Sequence, residues 1–561
     1  MTTNEHIIFN RKEKIDLNLR VWEFMFTFAY NNNSRKKNME SKKKWMAVLS
    51  LVMVSLMSQA QPRLVVGIVV DQMRWDYLER YKERYGKGGF RRMMDEGYNC
   101  TRCMINYLPA VTAVGHSSVY TGSVPAFTGI VGNHFYVDGR STSAPYDESM
   151  ETVGSETKAG KRSPHNLMAT TIGDELRMAT NFRSKVIGVA IKDRASILPA
   201  GHAANGAYWL DESDDRFITS SYYMKELPQW VVDFNTNNRS KEYMQRDWPR
   251  NMMYPEDTYL QSHPRDTRIE HSVGKSIRTS PWGATLTLDM ARAAIEGEAL
   301  GSDEFTDLLC VSISSTDAMA HQVGCNSQYM EDAFLWLDHD LEEFFSFLDK
   351  KVGKGKWTAF LTADHGGSHN PQWRMDHKIP AQVWESTQVV KDLNQLIADK
   401  LGATGKVILG ISSFKVMMDE QLIKAQGLER NQVTDLVVEH LKSLPMVQYA
   451  FDVERIPDNI PEPLRTMTRN GFYPGRTGQI QLIPVGGVME ANRYGEGEKL
   501  KGASHMLWGP DDTHIPFVLM GWGIPHGENH RIVHITDIAP TICSLLHIQE
   551  PSACVGESVL P

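Results

Sequence analysis

Cysteine is scarce, with six residues in 561. That density excludes a small disulfide scaffold. No internal repeat or low-complexity tract is present, which excludes solenoids and fibrous arrays. No segment supplies the roughly 20 consecutive apolar residues that a membrane span requires, so no membrane span is expected. Positive charge is short in the body of the chain. Residues 1–60 carry ten Lys and Arg against five Asp and Glu, and the rest carries 50 against 63. An acidic body cannot wrap nucleic acid by charge, and no nucleic acid partner is expected. What is present is ordinary: 41% hydrophobic and 23% charged residues. Such values exclude disorder, collagen and coiled coil for the chain as a whole. A prior of about 150 residues per domain gives three or four domains, but overcounts for large α/β enzymes.

Trp45–Met57 (WMAVLSLVMVSLM) follows Lys42, Lys43 and Lys44 and precedes Ser58-Gln59-Ala60. A cationic start, a short apolar run and a small residue before the break predict a secretory signal peptide. The reading places this signal peptide over residues 39–60. Residues 1–38 are then a non-native or disordered extension ahead of a start at Met39, and the mature chain begins at Gln61. No Cys follows the apolar run, so no lipid anchor is expected there. The implied location is periplasmic. Export permits disulfides, and Cys543 and Cys554, eleven residues apart, are candidates to pair. Cys100 and Cys103 form a C-x-x-C without the second pair that a zinc ribbon needs.

Four apolar runs each end in polar residues. Leu64–Val70 ends at Asp71, and Val186–Ile191 at Lys192-Asp193-Arg194. Leu308–Ile313 leads to Ser314-Ser315-Thr316-Asp317, and Ala359–Leu361 to Thr362-Ala363-Asp364-His365. Runs without alternation suit strands buried on both faces of a parallel sheet. Helical patterns lie between them over Ile172–Ala179, Gly283–Ala299 and Met330–Asp349. The order predicts an α/β sandwich, a mostly parallel central sheet with helices on both faces. Ligands of such sheets sit beyond the C-terminal strand ends, where all four polar sets fall. Two insertions are expected. Residues of about 205–280, rich in Tyr, Trp, Asp, Asn and Arg, would cover or rim the site. Those of about 380–500 would form a grafted cap or subdomain, with a strand at Val407–Ser412 and a helix at Gln421–Leu444.

Asp317 and His321 are spaced i and i+4, so on a helix they share a face and can grip one ion. Asp364-His365 is followed by Gly366-Gly367, which permits close backbone approach. Alone, Asp71 is as readily a helix cap, and His505, in Gly502-Ala-Ser-His505, as readily a surface or core histidine. Thr112 follows Pro109 at an apparent helix start. It is either an N-cap or a hydroxyl presented beside free helix N–H groups, which favour an anion. A threonine hydroxyl is a weak nucleophile unless a metal or base activates it.

Together these pieces resemble the alkaline phosphatase superfamily, and within it the PafA-type alkaline phosphatases, from about Leu64 to Leu560. The resemblance rests on an ordered set: VVDQMRWDYL, the Thr112 segment ending SVYTG, GNHFY, IKDR, STDAMAH, TADHGG, GASH and IPFVLMGWG. It implies an alkaline-phosphatase-like sandwich, with residues 61–560 as the catalytic domain. It further implies two zinc ions. Asp71, Asp364, His365 and the Thr112 oxygen would hold one; Asp317, His321 and His505 would hold the other, with His514 a rival of His505. Thr112 would attack phosphorus and form a phosphothreonine intermediate. Lys192 and Arg194 would contact the phosphoryl oxygens and select the monoester dianion, and Asn133 would donate to one of them. Alone, K-x-R reads as a solvated pair and Asn133 as a turn residue. His116 and His134 carry no implied role and read as structural. The implied substrates are small-molecule phosphate monoesters.

A phosphodiesterase or nucleotide pyrophosphatase of the same superfamily would share the metal ligands and the threonine; the Lys192/Arg194 pair argues against it. A sulfatase needs Cys or Ser in its modification motif, and the position here is Thr112. A cofactor-independent phosphoglycerate mutase uses Ser and lacks a leader. A non-catalytic secreted binding protein would have lost ligands, and all seven positions are intact.

Overall fold

In the computed structural model, residues 61–560 are described, apart from 138–139, 251, 256–257, 261–274 and 491–501. The expected extension (1–38) and signal peptide (39–60) lie outside the described residues. A ten-stranded sheet organises the chain. Its strands are β1 (Leu64–Val70), β2 (Tyr98–Cys100), β3 (Thr152–Val153), β4 (Val186–Ala190), β5 (Gly206–Asp211), β6 (Arg216–Ser220), β7 (Asp307–Ile313), β8 (Trp357–Thr362), β9 (Phe517–Gly521) and β10 (Gly527–Asn529). They lie in the order β10-β2-β9-β8-β1-β7-β4-β5-β6-β3. The run from β8 to β5 is parallel; β9 and β6 turn antiparallel at its flanks.

Every residue of β1, β4, β7 and β8 is buried. Both faces of these strands are therefore covered, as their unalternating apolar runs predict. The surrounding helices include α1 (Thr112–Thr121), α2 (Ile172–Ala179), α3 (Asp193–Ala200), α4 (Trp282–Gly297), α5 (Ser315–Val323) and α6 (Gln328–Leu348). α2 starts on a capping box, in which Thr171 and Asp174 satisfy each other's backbone N–H groups.

Register decides where the site forms. Val70 of β1 stands opposite Ile313 of β7, Val69 opposite Thr362 of β8, and Ser312 opposite Ala190 of β4. The four strand ends are level, so the polar residues that follow them converge at one edge.

Two expectations change. The segment expected as an insertion from about 205 begins with sheet: β5 is wholly buried and pairs with β4 in parallel. Its aromatic and polar composition hid a central-sheet strand. The expected helix over Gln421–Leu444 is two helices, Glu420–Ala425 and Arg430–Lys442. Gly427 between them has φ +67°, a conformation that ends a helix. Within the other expected insertion, Ile408–Ser412, Lys415–Met418, Ile480–Pro484 and Val447–Asp452 form an antiparallel sheet in that order. It has its own apolar cluster around Leu393, Val416, Val433 and Val437. The six cysteines are all free thiols, so Cys543 and Cys554 do not pair.

One buried carboxylate away from the strand ends carries a prediction. Burial raises Asp340 on α6 to about 7, although Thr285 donates to it at 2.7 Å. The folded state thus favours its proton. Stability on this account is full below the unfolded value near 4 and is lost as pH rises towards 7, by at most about 1.4 kcal/mol per pH unit. Asp340→Asn removes that dependence, so thermal unfolding at pH 5 and pH 8 should show the variant gaining on the wild type at the higher pH.

Candidate active site

Three carboxylates and three imidazoles meet at the level strand ends. Asp71 leaves β1 with its N–H donating to the Ile313 carbonyl, and its carbonyl accepts from the Thr316 hydroxyl. Asp364 and His365 follow β8. The two glycines behind them let the backbone of Asp511 and Asp512 close in: Gly366 N–H donates to the Asp512 carbonyl at 2.8 Å. A Cβ on Gly366 would lie 2.2 Å from the Asp511 carbonyl oxygen. Asp317 stands in the first turn of α5 with His321 one turn on, 3.1 Å from Asp317 Oδ1 to His321 Nε2. His505 arrives from the C-terminal region and stacks on His365 with ring centroids 3.7 Å apart.

Ligand-capable atoms fall into two groups, each within 4.8 Å: Asp71, Asp364 and His365, and Asp317, His365 and His505. His365 thus stands between the two sets rather than in one. His505, not His514, reaches the carboxylates. His514 Nε2 bonds the Thr101 carbonyl, and its ring stacks on Trp75.

The histidines share one arrangement. Nδ1 of His321 bonds the Ala503 carbonyl at 2.7 Å, Nδ1 of His365 the Gly366 carbonyl at 2.9 Å, and Nδ1 of His505 the Ala110 carbonyl at 2.8 Å. A carbonyl only accepts, so each Nδ1 carries a proton, and Nε2 is the nitrogen left to face the carboxylates. This is how proteins orient metal-binding imidazoles. Asp71 Oδ1 and His365 Nε2 are buried and make no hydrogen bond, and Asp317 Oδ1 and Asp364 Oδ2 are buried beside imidazole nitrogens, at 3.1 Å from His321 and 3.3 Å from His116. Buried polar atoms are normally satisfied. A set of oxygen and nitrogen donors left open at one point fits a divalent cation of zinc type.

The charges are tightly coupled. Burial raises Asp71 well above the usual carboxylate range, and Asp317 and Asp364 push it the same way. Burial opposes ionisation of Asp317 too, but His321 and Lys192 outweigh it and hold the carboxyl well below its usual value. Asp364 is held to about 2 against burial by His365 and His116.

Thr112 is fully buried, and Val111, not Thr112, occupies the N-cap of α1. The hydroxyl thus sits on the first helical residue. A Cβ on Gly115 would strike the Asp364 carbonyl oxygen at 2.2 Å, so glycine there lets the helix start press against the Asp364 loop. Asn133 Oδ1 accepts from Ala113 N–H at 2.8 Å, which aims its amide NH2 away from the helix. Lys192 Nζ lies 2.6 Å from both Asp71 Oδ2 and Asp317 Oδ2. Its ammonium is drawn among the carboxylates rather than held out towards solvent. Arg194 is partly exposed, and its buried Nε makes no hydrogen bond. Asn133, Lys192 and Arg194 line one cavity of about 390 Å³, with His134, Arg162, Trp209, Glu212 and Arg278 on its other walls.

His116 has more to do than its sequence reading implied. Buried on α1, it bonds the Thr112 carbonyl and the Ser312 hydroxyl, and its Nδ1 is 3.3 Å from Asp364 Oδ2. Its i+4 spacing from Thr112 was the available signal. Gln72 at φ +61° and Arg162, whose Nε donates to Asp193 Oδ2 at 2.7 Å, had no signal in the sequence.

A sequence model of the type I phosphodiesterase / nucleotide pyrophosphatase family matches residues 65–507. Alkaline phosphatase PafA of Elizabethkingia meningoseptica is 43% identical over 552 residues, covering 93% of this chain and 99% of the relative. Alkaline phosphatase PhoV of Synechococcus elongatus is 42% identical over 523 residues, covering 89% and 92%. The crystal structure of wild-type PafA superposes with a TM-score of 0.84 at 43% identity, over 89% of this chain and 98% of that one. Identity this high across nearly all of both chains, on one fold, means that the chain belongs to the type I phosphodiesterase / nucleotide pyrophosphatase family of the alkaline phosphatase superfamily, as an alkaline phosphatase of the PafA type.

Proposed function

We propose that this enzyme is an exported, zinc-dependent phosphomonoesterase that acts on small-molecule phosphate monoesters through a phosphothreonine intermediate at Thr112. The observation that carries the metal reading is the common posture of His321, His365 and His505, each with Nδ1 on a backbone carbonyl beside open carboxylate oxygens. Asp71, Asp364, His365 and Thr112 would hold one zinc, and Asp317, His321 and His505 the other. Bound zinc supplies Lewis acidity to the Thr112 oxygen and to the leaving oxygen. The side chains do the remaining work. Burial of Thr112 keeps bulk water from the nucleophile. The N-terminus of α1 favours the phosphoryl anion, and Asn133 donates to it. Lys192 and Arg194 place two cations beside the one cavity, where a dianionic monoester gains more than a monoanionic diester. Thr112 displaces the alcohol, and water then attacks the phosphothreonine to release phosphate. The signal-peptide pattern read in the sequence of residues 39–60 supports a periplasmic site of action.

Kinetics on zinc-loaded protein test the reading. kcat/KM for an aryl phosphate monoester should greatly exceed that for the matching methyl diester. Replacing both Lys192 and Arg194 by Ala should lower the monoester value by about 10² to 10³-fold or more, as for loss of a transition-state donor, and change the diester value far less. A wild-type preference for the diester would favour the phosphodiesterase reading.

A further inference from the structure

The segment leading to Thr112 is held from outside the main sheet. Leu108 N–H donates to the Met467 carbonyl at 3.0 Å, and Asn470 Nδ2 donates to the Asn106 carbonyl at 2.7 Å. The Leu108 side chain packs in a small apolar cluster otherwise made of Phe451, Ile460, Leu464, Met467 and Ile483. All of these partners come from the inserted segment. Lys415, also from that segment, reaches in beside them. It is 5% exposed, and its Nζ donates to the carbonyls of Leu108 at 3.0 Å and Gly471 at 2.7 Å. Among the described residues, no carboxylate stands within ion-pair distance of it.

A buried amine without a counter-charge is costly, and an apolar side chain would fill the space without that cost. What the lysine adds is two N–H donors on two carbonyls. Burial lowers its amine to about 7; the neutral form still has two N–H groups, so the hold persists in alkaline solution. Three residues separate Leu108 from Thr112, and the middle one, Ala110, supplies the carbonyl that bonds His505 Nδ1. One short segment therefore sets both the hydroxyl and a metal-facing imidazole.

We propose that Lys415 is a positioning residue for the phosphoryl-transfer step: by pinning the Leu108 carbonyl it keeps Thr112 and the Ala110 carbonyl behind His505 in place. The inference rests on Thr112 as the nucleophile.

The test is Lys415→Met in the full zinc-loaded enzyme, beside Val437→Ala. Val437 is buried in the inserted segment's other cluster, away from Leu108. Small misplacements of a reacting group cost up to about 10²-fold. Lys415→Met should therefore lower kcat about 10- to 100-fold, with KM within about threefold and zinc content unchanged. Val437→Ala should lower Tm and leave kcat within about twofold. Should Lys415→Met fail to fold, Gly471→Ala pushes on the same carbonyl, since a Cβ there would lie 1.7 Å from Leu108 O; it should lower kcat in the same way. Wild-type kcat in the Lys415 or Gly471 variant, or loss in proportion to Tm across all variants, would overturn the proposal. Thr112→Ala separates the two claims. If it is inactive while Lys415→Met is fully active, only this inference fails. If it is active, the nucleophile assignment fails as well.

Discussion

Thr112→Ala lowers kcat/KM for an aryl phosphate monoester by at least about 10³-fold, the scale on which covalent nucleophiles contribute. The side chain is buried at the first residue of α1, so its loss disturbs little else. Asp71, Asp364 and His365 remain to hold the zinc that Thr112 would share, and the second site is untouched, so zinc content should stay near the wild-type value. Thr112→Ser keeps a hydroxyl on the same helix start and should retain activity well above that of the alanine variant. Acid quenching during turnover provides a second readout. Phosphate should be trapped on the wild-type chain, at Thr112, and not on Thr112→Ala. Activity of the alanine variant within about tenfold of wild type would mean that water attacks the ester directly.

The second large effect concerns the metal. Removal of zinc by a chelator should abolish turnover, and added zinc should restore it, with about two ions bound per chain. Carboxylate and imidazole ligands bind metal only without their protons, so loading should weaken as pH falls. Single variants locate the ions. Asp317→Ala and His505→Ala should each bring the stoichiometry to about one and cost about 10²-fold or more in kcat/KM, since metal-site ligands and their supports act at that level. His514→Ala is the control: its imidazole serves the Thr101 carbonyl and Trp75. Zinc content that is unchanged in His505→Ala and reduced in His514→Ala would reverse that assignment.

Much of this molecule is legible along the chain. Leu64–Val70 is a strand from end to end, and Ile172–Ala179 a helix from end to end. The first is an unbroken apolar run and the second has a helical apolar period, and no neighbouring signal competes. Asp364-His365 and Asp317-x-x-x-His321 each pair ligand types at a spacing that local structure brings together, but alone the first also reads as a cap with a turn and the second as a solvated helix face. β5 was hidden because its Tyr, Trp and Asp suit a loop by composition, yet the sheet buries all three. His116 reads as structural in the sequence because two of its three partners, Asp364 and Ser312, lie about 200 residues away or more.

The sequence by itself determined the parallel sheet, the edge at which polar residues gather and the residue types available there. Each follows from local pattern: apolar runs ending in Asp, Lys or His, and short spacings that backbone geometry translates directly. Only the tertiary structure decided which distant residues share a point. Strand register levels Asp71, Asp317 and Asp364. Chain return brings His505 rather than His514 onto His365, and opposite charge holds Lys192 between two carboxylates. Electrostatic and coordinating contacts depend on a few ångströms across hundreds of residues, and no local period encodes that distance.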